Sequence, residues 1–177
     1  MKQFLFGFAA ALILIVVGGL SYIAMGLAPV ATASAPFPFE KLLTGIALHA
    51  RIQKEAPKSA PFPPSDRVYA GGAQLYRENC AVCHGLLGQA QTPIAKGEFP
   101  KPPELFNGED VTDDPPGVTY WKVANGIRLT GMPGFKGSLS SDQMWQVSLL
   151  LSNSDKLPPA VQSTLQAPLQ SSAVLQR

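Results

Sequence analysis

The sequence has few of the side chains that cross-link a chain or bind metal ions. Its 177 residues include two cysteines and two histidines. Both cysteines lie within one five-residue stretch, so a scaffold of disulfide bonds is excluded. A closed structural zinc site needs about four ligands. This stretch offers three, and the chain has no second pair of cysteines or histidines to complete the set.

Charged side chains are also scarce and nearly balanced. They make up 15% of the chain, with a net charge of +2, so charge gives no indication of a nucleic-acid partner. The residues before Asp66 carry five basic and two acidic side chains, and the remainder carries nine and ten. The basic excess therefore lies near the N-terminal segment and not on the part that contains the cysteines.

Residues 4–28 contain no charged side chain at all. About 20 apolar residues in a helix span the hydrocarbon core of a bilayer, so residues 1–28 are predicted to be a transmembrane anchor. The alternative is a cleaved signal peptide, whose apolar region has about 7–15 residues. The small residues at 31–35 would offer its cleavage sites. Lys2 precedes the segment and the next basic residue is Lys41, which predicts a single pass with the C-terminal part outside the cytoplasmic membrane, in the bacterial periplasm.

Residues 29–64 contain seven prolines, which is typical of a stiff, extended stalk. Residues 39–55 interrupt them with the spacing of an amphipathic helix. Its apolar stripe comprises Phe39, Leu42, Leu43, Ile46, Ala47 and Ala50. This helix either packs on its own domain, lies at the membrane surface, or docks onto a larger membrane complex. His49 is interpreted as a residue of its polar face, because a lone histidine has no partner ligands.

Both cysteines and the other histidine form the motif Cys80-Ala81-Val82-Cys83-His84. Cys-x-x-Cys-His is the attachment signature of c-type haem. One helical turn separates the two sulfurs by the distance between the two vinyl groups of the porphyrin, so that both form thioethers. The next residue presents its imidazole to the iron. The sequence therefore predicts one covalent haem c on Cys80 and Cys83, with His84 as an iron ligand.

Other interpretations of the motif fit less well. A redox Cys-x-x-Cys of the thioredoxin type follows a strand and precedes a helix, whereas here a helical pattern precedes the motif and a Gly-rich loop follows it. A zinc site lacks its fourth ligand. A coincidence would require every cysteine of the chain to fall into the motif by chance.

Residues 66–156 resemble a class I monohaem cytochrome c. The pattern Gly72-x-x-x-Tyr76-x-x-x-Cys80 is similar to the N-terminal helix of that family, in which a glycine lets another helix cross closely. Residues 139–153 are similar to its C-terminal helix, with Trp145 in the aromatic position that meets the glycine. The resemblance implies an all-α fold of three to five short helices around the haem, with a cytochrome domain over residues 65–156.

The second iron ligand is expected to be a methionine. Met1 and Met25 belong to the anchor, and Met144 lies on the apolar face of a helix. Met132 lies in Thr-Gly-Met-Pro-Gly-Phe, where glycines allow the backbone to approach a flat porphyrin, and residues 125–135 resemble the ligand loop of the family. The alternative for Met132 is packing against the haem without ligation.

Three other segments carry weaker expectations. Residues 85–107 are expected to wrap the histidine side, where the resemblance implies that the carbonyl of Pro102 or Pro103 orients His84. Residues 119–126 are predicted to be a short helix ended by glycine, with two aromatic residues that line the haem pocket or the core. The acidic residues 109–114 form a solvated turn or a docking surface, and residues 157–177 are predicted to be a flexible tail.

These features predict a membrane-tethered carrier of single electrons and not an enzyme, because ligands on both faces leave the iron no open site for a small-molecule substrate. The resemblance implies redox protein partners such as an oxidase, a dehydrogenase or a quinol-oxidising complex. Two alternatives stay open. One is a fixed cytochrome c subunit of a larger oxidoreductase complex, and the other is a haem protein that reacts with a gas or a peroxide.

Overall fold

The computed structural model describes residues 1–106 and 114–169, and every regular element in these ranges is helical. The elements are α1 (Lys2–Ala24), α2 (Glu40–Glu55), α3 (Asp66–Asn79), α4 (Ala81–His84), α5 (Pro93–Gly97), α6 (Pro116–Asn125), α7 (Ser141–Leu151), a 3-10 turn (Ser154–Lys156) and α8 (Pro159–Gln166). The acidic residues 109–113 and the end of the predicted tail, 170–177, lie outside the described residues. The chain divides into two compact units, Met1–Lys41 and Leu42–Arg177.

The first unit consists of α1 and the segment that leads to α2. Helix α1 has 23 residues with a mean hydropathy of 2.5 and buries none of them, so it is long and apolar enough to cross a membrane. After α1 the chain turns back, and the ring of Phe37 contacts the ring of Tyr22 near the end of α1, with centroids 6.0 Å apart. The backbone N–H of Phe37 donates to the carboxylate of Glu40, 2.9 Å away, at the start of α2.

The core of the second unit is the crossing of α3 and α7. A Cβ on Gly72 would lie 2.4 Å from the backbone oxygen of Gln146, so only glycine permits this approach of the two helices. Helix α7 begins with a capping box between Ser140 and Gln143, as its sequence predicts. The expectation that Trp145 meets the glycine was wrong, since the nearest atoms belong to Gln146 and Leu150.

Trp145 instead packs against α6. Its ring is stacked on that of Tyr120, with centroids 4.3 Å apart, and the Tyr120 hydroxyl lies 3.2 Å from that of Ser141. Helix α6 begins at Pro116, three residues earlier than the sequence predicted, because proline is well accommodated in the first turn of a helix. It ends at Gly126, whose φ of +68° favours glycine.

Helix α2 forms where the sequence predicts it, but its predicted apolar stripe is not its buried face. The buried residue of α2 is Ile52, whereas Leu42, Leu43 and Ile46 are each more than half exposed. The end of α2 is fixed to α6, because the indole N–H of Trp121 donates to the Glu55 carboxylate at 3.1 Å. The Pro-rich residues 29–64 are therefore not a uniform stalk, since those from Leu42 onward belong to the same compact unit as the cysteines.

Residues 157–169 are not the loose tail that the sequence predicted. Helix α8 packs against α3 with Val161 and Leu165 buried, and Leu157 before it is also buried. Its C-terminal carbonyl groups, which no further helical turn satisfies, accept hydrogen bonds from Arg77 of α3. The guanidinium donates to the carbonyl of Thr164 at 2.8 Å, to that of Pro168 at 3.0 Å and to that of Ala167.

Replacing Arg77 with alanine should therefore detach α8. Hydrogen bonds to charged groups contribute about 1.5–3 kcal/mol each in mutational series, and the substitution also removes a cation from the negative end of the helix. We expect proteolysis within residues 157–169 to be faster than in the parent protein, as measured by mass spectrometry of the fragments. The visible spectrum should not change. Arg67→Ala, at an exposed position in the first turn of the same helix, is the control. Equal proteolysis of the two variants would contradict the role of Arg77.

Candidate functional site

The Cys-x-x-Cys-His motif forms one tight helical turn directly after α3. Cys80 ends α3, and its carbonyl accepts hydrogen bonds from the backbone N–H groups of Cys83 and His84, at 3.1 and 2.9 Å. Gly85 then ends the turn with a φ of +78°. Its carbonyl accepts a hydrogen bond of 2.8 Å from the buried hydroxyl of Tyr76. The core of α3 therefore fixes both ends of the motif.

The two cysteine side chains are unpaired thiols in a partly buried environment. Burial, followed by the neighbouring Cys83, raises the pKa of Cys80 to about 12. Burial also raises the pKa of Cys83 to about 11, and the hydrogen bond and negative charge of Glu98 add to this effect. Burial thus disfavours both thiolates, and the Cys83 thiol donates to the Glu98 carboxylate at 3.0 Å.

One of the two expected proline carbonyls faces His84. The Nδ1–H of its imidazole donates to the carbonyl of Pro103 at 2.9 Å, whereas the carbonyl of Pro102 accepts a bond of 3.2 Å from buried Gln91. This bond fixes the ring and its tautomer, and leaves Nε2 with a free lone pair for a metal ion. Burial lowers the pKa of His84, which favours the neutral imidazole that a metal requires.

Met132 lies in a compact loop that folds back on the end of α6. Its carbonyl accepts from the N–H of Ile127 at 3.2 Å, and its own N–H donates to the Thr130 hydroxyl at 3.1 Å. A Cβ on Gly126 would lie within 2.8 Å of this returning backbone, so glycine is required there. The Met132 side chain is half-buried and packs against the core.

Glu98 connects the cysteine side of the site with the methionine loop. One of its carboxylate oxygens accepts from Cys83, and the other would lie 2.6 Å from a Cβ on Gly131, the residue before Met132. The cysteine turn and the methionine loop thus meet at one place. Two thiols, a free imidazole nitrogen and a thioether sulfur are the donor set that covalent haem with His/Met ligation requires, so the residues present fit that cofactor.

The sequence did not identify several residues that shape this site. Glu98 is one acidic residue in a polar loop, and Gln91 shows no pattern that predicts its burial. Tyr120 and Trp121 had two alternative roles, and their contacts are with Trp145 in the core and with Glu55 of α2. The role of each of these residues depends on contacts with residues elsewhere in the chain. The periodicity of the sequence does not encode such contacts.

Comparison with known proteins identifies the chain. The family described as "Cytochrome C oxidase, cbb3-type, subunit III" matches residues 67–149. Cytochrome c6 of Leptolyngbya boryana is 36% identical over 80 residues, which cover 45% of this chain and 85% of that protein. The chain is a c-type cytochrome. Its cofactor is covalent haem c, with which the presence of Cys80 and Cys83 in a Cys-x-x-Cys-His motif is consistent, and its helical fold agrees with class I of these cytochromes.

Two further proteins that the comparisons match are longer than this cytochrome. A thiosulfate dehydrogenase of Stutzerimonas stutzeri is 32% identical over 116 residues, which cover 65% of this chain but 36% of that protein. A chain of the Kuenenia stuttgartiensis reducing HAO-like protein complex is 25% identical, with a TM-score of 0.49, over 56% of this chain and 49% of that chain. The cytochrome thus spans about a third of the length of the dehydrogenase.

Proposed function

We propose that the protein is a membrane-tethered carrier that passes single electrons outside the cytoplasmic membrane. The chain belongs to the c-type cytochromes, and the bound haem supplies one-electron chemistry between ferric and ferrous iron. The observation that supports the proposal best is the bond between His84 and Pro103, because it leaves the imidazole held for one axial position. In this proposal Cys80 and Cys83 attach the haem, His84 and Met132 ligate the iron, and no position is left for a substrate.

The residues around the ligands serve electron transfer and not bond-making chemistry. The Pro103 carbonyl and the Tyr76 hydroxyl hold the cysteine turn, and the glycines of the methionine loop hold Met132. A change in the oxidation state of the iron therefore requires little movement of its ligands. A Met/His ligand pair also raises the reduction potential of a cytochrome. Helix α1 would confine the carrier to the membrane and raise its effective concentration at redox partners there.

The carrier function is tested with holoprotein from a host that attaches haem to exported proteins. We expect the pigment to remain with the polypeptide under denaturing conditions, and the spectrum of the reduced protein to stay unchanged under carbon monoxide. We also expect the protein to stay in the membrane after alkaline carbonate extraction. A rapid spectral shift with carbon monoxide would support a gas- or peroxide-reactive protein, and release by carbonate would contradict the tether.

A fixed subunit of a larger oxidoreductase is the second candidate. Both the matched family and the thiosulfate dehydrogenase carry the names of oxidoreductases, which favours this candidate. Extraction in mild detergent distinguishes the two candidates by size. A free carrier elutes with the mass of one 18.8 kDa chain plus detergent, whereas a subunit elutes with its partners.

A further inference from the structure

Helix α2 has two apolar faces, and among residues 1–106 and 114–169 only one of them is buried. Ile52 is buried, at 5% exposure, while Leu42 and Leu43 are 58% and 64% exposed and Ile46 is 60% exposed. At about 100° per residue, Leu42, Leu43 and Ile46 fall within a sector of about 100°, and Ile52 lies outside it, about 80–180° from them around the helix. We call Leu42, Leu43, Ile46 and Ala47 the outer stripe. Exposed aliphatic residues in a row indicate a surface that contacts something else.

The position of α2 along the chain indicates what covers the outer stripe. Helix α1, which is apolar enough to span a membrane, ends at Ala24, and α2 begins at Glu40. The chain between them folds back so that Phe37 contacts Tyr22 in the last turn of α1. Glu40 is bonded to Phe37. Glu40, the first residue of α2, therefore follows a segment that is folded against the end of α1, where a spanning helix leaves the hydrocarbon and aromatic side chains are favoured.

The composition of the outer stripe changes along α2 in the same direction. Its members all lie in the first half of the helix, which is nearer to α1 in the chain. Further along, the same sector carries Ala50, Gln53 and Lys54, all exposed. A helix that enters the headgroup region at its start and leaves it at its end has this gradient, and a long lysine stem tolerates the boundary.

We infer that the outer stripe of α2 lies in the headgroup region of the membrane that α1 spans, and that the lipid surface is its partner. The inference rests on the proposed membrane tether. Because Glu55 bonds to Trp121, and Pro57 lies against Gly117, the end of α2 is held on α6, which leads into the Met132 loop. The membrane then orients the cytochrome domain through α2, in place of a flexible stalk.

Single introduced cysteines test the inference in the full-length holoprotein, because the native cysteines are consumed by thioether bonds. The protein is reconstituted in sparse amounts into vesicles of phosphatidylethanolamine and phosphatidylglycerol. Ile46→Cys probes the outer stripe, and Thr44→Cys, two residues away and about 160° around the helix, is the matched control. Ile13→Cys in the middle of α1 reports on the tether. The readout is the rate of modification by a charged, membrane-impermeant maleimide, relative to complete modification in denaturant.

We expect modification at Ile46→Cys to be roughly tenfold slower than at Thr44→Cys. The maleimide reacts with the thiolate, and each unit by which lipid raises the pKa of a thiol removes about nine-tenths of its thiolate. Equal rates at the two positions, with Ile13→Cys protected, would overturn the inference and leave the tether intact. Fast modification at Ile13→Cys would overturn both.

Two further outcomes identify a different occupant and also overturn the inference. Protection at Ile46→Cys that disappears when the protein is diluted with lipid indicates a second copy of the chain. Protection in native membranes but not in vesicles indicates a protein partner. Identical visible spectra of the variants verify that each is folded around its haem.

Discussion

Replacing Met132 with alanine is expected to open the iron to carbon monoxide and to lower the reduction potential by on the order of 0.2 V, a fraction of the roughly 0.8 V range that axial ligands cover. The thioether sulfur is a soft ligand that favours ferrous iron, and alanine leaves its position empty or filled by water. Redox titration and the spectrum of the reduced protein under carbon monoxide measure the two effects.

Two variants make this prediction specific. Met144→Leu changes the other methionine of the second unit, which is buried in α7 at 3% exposure, and should leave both readouts unchanged. Met132→His should keep carbon monoxide out, because a second imidazole fills the position, and still lower the potential. If Met132→Ala keeps the spectrum and potential of the parent, then Met132 only packs against the haem and another residue ligates the iron.

The loop around Met132 shows why the effect should be confined to the ligand. Met132 accepts a hydrogen bond from the N–H of Ile127 at its backbone carbonyl and donates one from its backbone N–H to the Thr130 hydroxyl, and neither bond uses the methionine side chain. Alanine therefore preserves the turn that returns the chain to α6. Loss of the sulfur, and not collapse of the loop, accounts for the expected change.

The sequence predicted the helical turn of the Cys-x-x-Cys-His motif better than the residues that surround it. Cys80, Cys83 and His84 are adjacent, so their arrangement follows from a single helical turn. The choice between Pro102 and Pro103 did not follow, because it depends on Gln91, whose side chain takes the first carbonyl. Glu98 was missed for the same reason, since its role depends on contacts with residues far from it along the chain.

Helices α2 and α8 show a second limit of prediction from the sequence pattern. Periodicity located α2 correctly, but it could not tell which apolar residues pack within the protein and which face outward. Helix α8 was missed because its composition is polar, with an isolated Val161 and Leu165 as its apolar positions. Its stability depends on the apolar surface of α3 and on Arg77, and a short helix without such partners is marginal.

The sequence pattern predicted that Gly72 lets another helix cross α3 closely. The structure shows which atoms a side chain at this position would meet. Gly72→Ala should destabilise the protein by about 1–3 kcal/mol, the usual cost of overpacking, even though alanine favours a helix by about 1 kcal/mol over glycine. The added Cβ would meet the backbone oxygen and carbon of Gln146 at 2.4 and 2.8 Å. Backbone atoms cannot rotate away, so α3 and α7 must separate.

The adjacent Gly71 supplies a matched control. A Cβ there would lie 2.8 Å from the amide oxygen of the Gln146 side chain, which is flexible and able to move. Gly71→Ala should therefore be neutral or slightly stabilising, since the gain in helix propensity remains and the clash is relieved. Denaturant unfolding of the two ferric holoproteins, monitored by tryptophan fluorescence, measures the change in the free energy of unfolding of each variant. In thermal unfolding, each kcal/mol corresponds to roughly 4–8 °C in Tm for a domain of this size.

The consequence of Gly72→Ala should extend to the haem, because α3 runs directly into Cys80. Separation of α3 from α7 moves the anchor of the cysteine turn, while the Met132 loop stays on α6. We therefore expect the variant to admit carbon monoxide at denaturant concentrations too low to unfold it, whereas Gly71→Ala does not. Equal stability of the two variants would mean that α3 and α7 do not cross at Gly72.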